Sequence, residues 1–325
     1  MQVLIVKLSS LGDVVHAMPV VHDIRQAYPD ALIDWVVEPA FAPLVREVDG
    51  IHEVIECALR RWRRAWWRGA IRAEWRDFRA KLSGVRYDAV LDLQGLTKSA
   101  MIAKLANGRS YGLANRTEGS SFESPARWLV DHAIRIEPRT HVLDRSRALA
   151  ALAIGYQVDG SPQFGLRQIA PPMSHSPTVV FAHGSSRADK LWPEASWIEL
   201  GTRLSRQGWR IALPHTGDAE RDRAQRIAAA VGACTDLWPE MPLDALILRM
   251  SRTQGAIGVD SGLSHIAVAL GLPHVQIYNF PTAWRTGPLW AHGHRQQVSV
   301  QARPTPSLDA VWEGWTGALS HETVP

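Results

Sequence analysis

Cysteine is almost missing from this chain: its 325 residues include two, Cys57 and Cys234, in opposite halves. Two distant thiols make no disulfide framework, and there is no CxxC or Cys/His cluster with zinc spacing. A reducing compartment fits, and a cytoplasmic protein is predicted. Long hydrophobic runs are missing too. No stretch of about 18 apolar residues exists, so no bilayer-spanning helix is predicted. The opening MQVLIVKLSS is short, is broken by Lys7 and lacks a basic start, so it reads as a first strand rather than a secretion signal. Neither GxGxxG nor GxxxxGK[ST] occurs, which excludes the usual dinucleotide fingerprint and the P-loop. D-x-D is absent, and His292-Gly293-His294 lacks a third ligand, so no metal and no cofactor is predicted.

What is present is an ordinary globular composition, 46% hydrophobic and 21% charged. At roughly 100–200 residues per domain, the length suggests two domains. The formal charge is only +4, but it is unevenly spread. Residues 59–86 hold ten basic side chains against Glu74 and Asp77, a local +8, and the remainder is −4. A mildly acidic body with one strongly cationic segment argues against a nucleic-acid-coating protein and for a local anionic partner.

Short apolar runs alternate with helical patterns. Strands are predicted at Val3–Leu8, Ile33–Val37, Ala89–Leu93, Thr178–Ala182, Arg210–Pro214 and Ala256–Val259. Helices are predicted at Val14–Ala27, Thr97–Ala106, Glu194–Ser205, Ala219–Val231 and Leu263–Leu270. The alternation is interrupted at 171–177, where Pro171, Pro172 and Pro177 mark a linker. The expectation is an α/β protein with two doubly wound domains, 1–170 and 178–304, facing across a cleft, with ligands at the C-terminal ends of the strands. A last helix at Leu308–Leu319, within 305–325, is expected to pack back on the first domain.

Three segments carry candidate chemistry. The first strand leads into Ser9-Ser10-Leu11-Gly12-Asp13. Gly12 permits close backbone approach to a ligand and Asp13 offers a carboxylate at a helix start. Ser10 with Asp13 three residues on also fits a capping box, so capping and catalysis both stay open here.

In the cationic segment, Trp67, Ile71, Trp75, Phe78 and Leu82 recur at helical spacing. Arg61, Arg64, Arg68, Arg72, Arg76 and Arg79 form a neighbouring stripe. One amphipathic helix is predicted, suited to phosphate or carboxylate oxygens or to an anionic membrane surface. A solvated basic face is the simpler alternative, although such faces usually mix signs.

In the second half, two loops follow strands: His183–Pro193, with Ser185, Ser186 and Lys190, and Asp260–His265, where Ser261 and Gly262 open a helix. Hydroxyls, one lysine and free helix N–H groups together suit a pyrophosphate, and Glu220 suits a ribose. Taken singly, Ser261 reads as a cap, His265 as a packed histidine and Lys190 as a surface charge.

Two stretches, Val3-Leu4-Ile5-Val6-Lys7-Leu8-Ser9-Ser10-Leu11-Gly12-Asp13-Val14-Val15-His16-Ala17-Met18-Pro19 and Gly258-Val259-Asp260-Ser261-Gly262-Leu263-Ser264-His265, closely resemble the lipopolysaccharide heptosyltransferases of glycosyltransferase family 9. Arg60-Arg61-Trp62-Arg63-Arg64-Ala65-Trp66 and Asp92-Leu93-Gln94-Gly95-Leu96-Thr97-Lys98-Ser99 are similar to the branch that adds the first heptose to Kdo-lipid A. The resemblance runs from residue 1 to about residue 280.

It implies a GT-B fold of two Rossmann-like domains, acceptor in the first and donor in the second. The implied donor is ADP-L-glycero-β-D-manno-heptose and the implied acceptor a Kdo hydroxyl of Kdo-lipid A, in lipopolysaccharide inner-core synthesis. Asp13 matches the family's general base in an inverting transfer. Ser185, Ser186, Lys190, Asp260, Ser261, Gly262 and His265 match donor-binding positions, with Glu220 and Met241 at the ribose and adenine. Ser10, Gly12, Arg60, Arg61, Arg63, Arg64 and Lys98 match the acceptor site. The implied location is the cytoplasmic face of the inner membrane, with peripheral contact to its anionic surface and no nucleic-acid partner. One departure stands out: the family's Tyr-Gly-Pro-Thr is Tyr278-Asn279-Phe280-Pro281-Thr282 here, so no donor contact is expected from that turn. The alternatives are a sister transferase with another acceptor or nucleotide sugar, and a non-catalytic polyanion-binding protein.

Overall fold

The structure, a computed structural model, describes residues 1–166 and 177–320. The chain divides into two compact units, Met1–Arg167 and Gln168–Pro325. Apart from Pro177, the expected linker 171–177 lies outside the described residues.

The first unit runs β1 (Gln2–Val6), α1 (Leu11–Val15), α2 (Pro19–Ala27), β2 (Leu32–Val37), α3 (Ala42–Arg46), β3 (Ile51–Glu56), α4 (Leu59–Ala65) and α5 (Gly69–Gly84). It continues with β4 (Arg86–Asp92), α6 (Thr97–Leu105), β5 (Asn107–Leu113), α7 (Ala126–Leu129), β6 (His132–Ile134) and α8 (Val142–Ile154). Its six strands are all parallel, in the order β3-β2-β1-β4-β5-β6. β1 is central, and Val3 to Val6 are fully buried, as a parallel strand covered on both faces requires. One face carries the core of Leu4, Val6, Val36, Val90, Trp62, Phe78 and Ile102. α2 and α8 are joined by a buried ion pair, with Arg147 donating to both Asp23 oxygens at 2.7 and 2.8 Å.

The second unit repeats the wiring. It runs β7 (Thr178–Ala182), α9 (Glu194–Ser205), β8 (Arg210–Leu213), α10 (Gly217–Val231), β9 (Thr235–Leu237) and α11 (Leu243–Ser251). β10 (Gly255–Val259), α12 (Gly262–Ala269), β11 (His274–Tyr278), α13 (Ala283–Thr286), β12 (Gln297–Gln301) and α14 (Leu308–Ser320) complete it. Its parallel sheet has the order β12-β11-β10-β7-β8-β9, which, read from the β9 edge, is the first unit's order with each strand advanced by six. In each sheet the winding reverses between two central strands, β1 and β4 in one and β7 and β10 in the other. Loops at such a reversal diverge and leave a crevice where ligands bind. Two consecutive Rossmann-like units of this kind make up the GT-B fold.

Three expectations are corrected. The helix predicted over Val14–Ala27 is two helices, because Pro19 has no N–H to continue the ladder and instead occupies the first turn of α2. The single amphipathic helix across the cationic segment is also two, α4 and α5, broken at 66–68. Trp67 therefore leaves the apolar face and is 62% exposed, while Trp62 packs inside. Within the second unit α14 places Val311, Trp312 and Trp315 in the core, beside Trp197 and Val275. Finally, β3, β5, β6, β9, β11 and β12 were not among the strands expected. Four of them are edge or next-to-edge strands with broken apolar patterns, such as the half-buried Ile51–Glu56 and the three-residue β6 and β9.

Candidate active site

In the first unit the site is built on the loop leaving β1. Directly after that strand comes Lys7, whose side chain is buried and whose ammonium donates to the Leu93 carbonyl at 2.9 Å. Gln94, just past β4, holds the loop in place. Its Oε1 accepts from the Leu8 and Ser9 N–H groups at 2.9 and 3.2 Å, and its Nε2 donates to the Ser9 carbonyl. The loop backbone thus has partners although no strand runs beside it.

Ser10 then caps α1, and the capping box is present. Asp13 Oδ2 accepts from the Ser10 N–H at 3.2 Å and from its hydroxyl at 3.0 Å. Asp13 Oδ1 lies 3.5 Å from Lys7 Nζ, and the carboxylate is 37% exposed. Burial works against its ionisation, but Lys7, the Ser10 N–H and Arg145 outweigh it and hold Asp13 below the ordinary carboxylate range. Capping and chemistry are compatible here: one oxygen serves the cap and the other faces the lysine. Gly12 lies in the same turn, half-buried.

Behind Lys7 sits Asp92, the last residue of β4. Its Oδ1 accepts from the Gln94 and Gly95 N–H groups at 3.0 and 3.2 Å, and its Oδ2 is buried without a hydrogen-bond partner. Burial pushes its carboxyl up to about 6. Desolvation likewise lowers the Lys7 ammonium.

The expected group of five basic residues divides three ways. Arg60 Nε and Lys98 Nζ converge on Glu38 Oε1, at 3.2 and 3.8 Å, with Glu38 nearly buried. Arg61 turns instead toward α5, where its guanidinium grips both Glu74 oxygens, one at 3.0 Å. Arg63 and Arg64 are exposed.

In the second unit the loops after β7 and β10 meet. Lys190, in a short 3₁₀ turn (Ala188–Lys190), lies 2.7 Å from Asp260 Oδ2, and His265 Nε2 lies 3.4 Å from Asp260 Oδ1. Burial opposes the Asp260 charge, yet His265 and Lys190 hold its carboxyl well below the usual range. Ser185 Oγ makes a long contact of 3.5 Å to the Asp260 carbonyl, and Ser186 is exposed. Ser261 stands at the N-cap of α12, but its hydroxyl makes no capping bond; it is buried without a hydrogen-bond partner. The reading of Ser261 as a cap fails at its side chain, and the first N–H groups of α12, beginning with Gly262, lack a side-chain acceptor.

Glu220, in the first turn of α10, accepts from the Thr216 N–H at 2.9 Å. Its carboxylate lies against Gly184: a Cβ there would sit 2.2 Å from Glu220 Oε1. Glycine at 184 is thus what allows Glu220 to reach the loop after β7. Met241 is half-buried in the loop before α11.

Several contributors were not expected. Lys7 was visible as a lone charge ending an apolar strand. Glu38, Gln94 and Arg145 gave no such signal. Asn279, in the altered turn after β11, braces the loop that carries Lys190. Its Nδ2 donates to the Asp189 and Leu191 carbonyls at 2.9 and 3.0 Å, either side of Lys190, and its Oδ1 accepts from Thr305 at 2.7 Å.

A doubled Rossmann-like fold, a carboxylate at one sheet reversal and a lysine with an open helix end at the other define a nucleotide-sugar transferase. Comparison with known proteins agrees. The profile of Glycosyltransferase family 9 (heptosyltransferase) matches residues 75–311. The chain is 37% identical over 303 residues to lipopolysaccharide heptosyltransferase 1 of Escherichia coli K12, covering 92% of this chain and 93% of that one. It superposes on the E. coli heptosyltransferase WaaC with ADP at a TM-score of 0.88 and 33% identity, covering 98% and 100% of the two chains. The same enzyme with ADP-2-deoxy-2-fluoro heptose gives a TM-score of 0.83 over 100% of both chains. The chain belongs to glycosyltransferase family 9, and it is a glycosyltransferase.

Proposed function

We propose that the chain transfers L-glycero-D-manno-heptose from ADP-heptose to a Kdo hydroxyl of Kdo-lipid A, in lipopolysaccharide inner-core synthesis. The observation that carries this reading is the Asp13 carboxylate, held ionised at the end of β1 by Lys7 and Ser10. An ionised carboxylate with one oxygen outside its cap can accept a proton.

In this reading Asp13 takes the proton of the Kdo hydroxyl as that oxygen attacks the anomeric carbon. The bond from that carbon to the ADP oxygen breaks on the opposite face, the pair of electrons leaves with ADP, and configuration inverts. Lys190, Ser185, Ser186 and the α12 N-terminus at Ser261 and Gly262 receive the pyrophosphate; the unpartnered Ser261 hydroxyl supports this. Asp260 and His265 orient Lys190. Glu220 takes the ribose hydroxyls and Met241 the adenine. Ser10, Gly12, Arg60, Lys98, Arg61, Arg63 and Arg64 serve the anionic acceptor, with Arg60 and Lys98 nearest each other.

A glycolipid acceptor also places the chain against the anionic cytoplasmic face of the inner membrane, as a peripheral protein. Among the described residues no helix is long and apolar enough to cross a membrane.

The test is turnover of ADP-heptose with Kdo-lipid A by wild type and Asp13→Asn. The variant should lose about 10²–10⁴-fold in rate and keep its thermal stabilisation by ADP. Undiminished activity in the variant removes Asp13 as the base. No turnover by wild type removes the substrate pair, and a sister donor or acceptor is then tried. Absence of any ADP stabilisation, with salt-sensitive binding to all polyanions, favours the non-catalytic alternative.

A further inference from the structure

The turn joining α4 to α5 holds two indoles in water. Trp66 and Trp67 are 66% and 62% exposed, and every residue from 66 to 70 is exposed. Adjacent exposed tryptophans are a large apolar surface for a soluble protein to leave uncovered.

The base of this turn is fixed. Trp62 is buried with its ring 5.5 Å from Trp75 and 5.1 Å from Phe78, and its Nε1 donates to Glu74 at 2.9 Å. Arg61 binds the same carboxylate. The helices are stapled below the break, so the tip at 66–68 is held outward by a packed base.

The charge around the tip has one sign. No acidic residue occurs between Glu56 and Glu74 in the sequence. Arg63, Arg64, Arg68 and Arg72 are exposed, and among the described residues none of them pairs with a carboxylate. Arg60 and Arg61 do pair, with Glu38 and Glu74. Guanidinium groups without counter-charges suit phosphate oxygens, and indoles settle at the head-group level of a bilayer, where an apolar ring and a polar N–H are both satisfied. A surface that supplies phosphates and an apolar layer beneath them matches both halves of the pattern.

We propose that Trp66 and Trp67 are an interfacial anchor. They enter the head-group layer of an anionic membrane while Arg68 and Arg72 lie on its phosphates. The proposal rests on the peripheral-membrane reading above and relocates the contact, from the length of the stripe between Arg61 and Arg79 to the tip between the helices.

The test uses the full chain and sedimentation with vesicles of phosphatidylcholine alone or mixed with phosphatidylglycerol, containing no glycolipid acceptor. Wild type should bind the mixed vesicles and be released by salt. Trp66→Ser/Trp67→Ser should weaken that binding at least about tenfold, and Arg68→Gln/Arg72→Gln by about fivefold for each arginine removed. Brominated acyl chains should quench the fluorescence of wild type more than that of the double tryptophan variant. ADP should raise the melting temperature of wild type and the tryptophan variant equally, which verifies folding. If the tryptophan variant binds or is quenched as wild type is, the anchor is overturned and the peripheral reading stands. If wild type ignores the mixed vesicles, both are overturned.

Discussion

Lys7 Nζ lies 3.5 Å from Asp13 Oδ1 while donating to the Leu93 carbonyl at 2.9 Å. The ammonium therefore ties the end of β1, the start of α1 and the residue after β4 at one point. Its pull on Asp13 is electrostatic as well as positional, because Lys7 is the largest of the influences that favour the Asp13 charge.

Replacing Lys7 by Met removes that charge and keeps a similar apolar stem. The Asp13 carboxyl then titrates higher, since burial remains and its main counterweight is gone. Activity of a base needs the ionised form, so the acid limb of the kcat/KM profile should move to higher pH. A pH–rate profile of Lys7→Met checks this; an unmoved limb would show that Lys7 only holds the backbone.

Asp92 makes the opposite case. Its folded value of about 6 lies above its ordinary 3.8, so the folded protein binds this proton more tightly than the unfolded chain does. Its contribution to stability is present below pH 4 and is lost as pH rises toward 6. Asp92→Asn keeps an oxygen for the Gln94 and Gly95 N–H groups without the buried charge. The variant should be more stable than wild type by about 1–3 kcal/mol at pH 8 and equal to it near pH 4. Urea unfolding at the two pH values measures the difference, and equal stability at pH 8 would contradict the argument.

Asn279 braces the turn that carries Lys190 through two donated bonds. At about 1 kcal/mol for each of the two bonds lost, Asn279→Leu should raise the KM for ADP-heptose roughly thirtyfold. The KM for Kdo-lipid A should stay the same. Steady-state kinetics with each substrate varied separately tests this, and equal rises in both would assign Asn279 to general stability instead.

Local signals carried much of this fold and site. Thr178–Ala182 and Glu194–Ser205 form where periodicity and turn residues placed them, and Ser10 and Asp13 make the box their spacing announces. The loops after β1, β7 and β10 were legible because each follows a short apolar run and opens a helix. What was not legible depends on partners distant in sequence. Glu38 meets Arg60 and Lys98 only because β2 ends on the side of the parallel sheet where α4 and α6 begin. Gln94 braces a loop 85 residues earlier. The α4–α5 break follows from Trp62 packing on Trp75 and Phe78, a choice that helical spacing alone cannot distinguish from burying Trp67. β11 escaped notice because His274 and Gln276 are polar yet fully buried within it.

In the resting protein Asp260 offsets the charge of Lys190, and Glu38 offsets one of the two charges of Arg60 and Lys98. In the roles proposed for these cations, an arriving phosphate or carboxylate takes part in an exchange, competing with a resident carboxylate rather than meeting a bare cation. The affinity gained is the difference between two ion pairs, smaller than the strength of either. Stray anions in the surrounding solution gain little by that exchange and are turned away. On the same proposal Asp260 recaptures Lys190 when the spent nucleotide loosens, so each turnover ends with the competitor for the next ligand back in place.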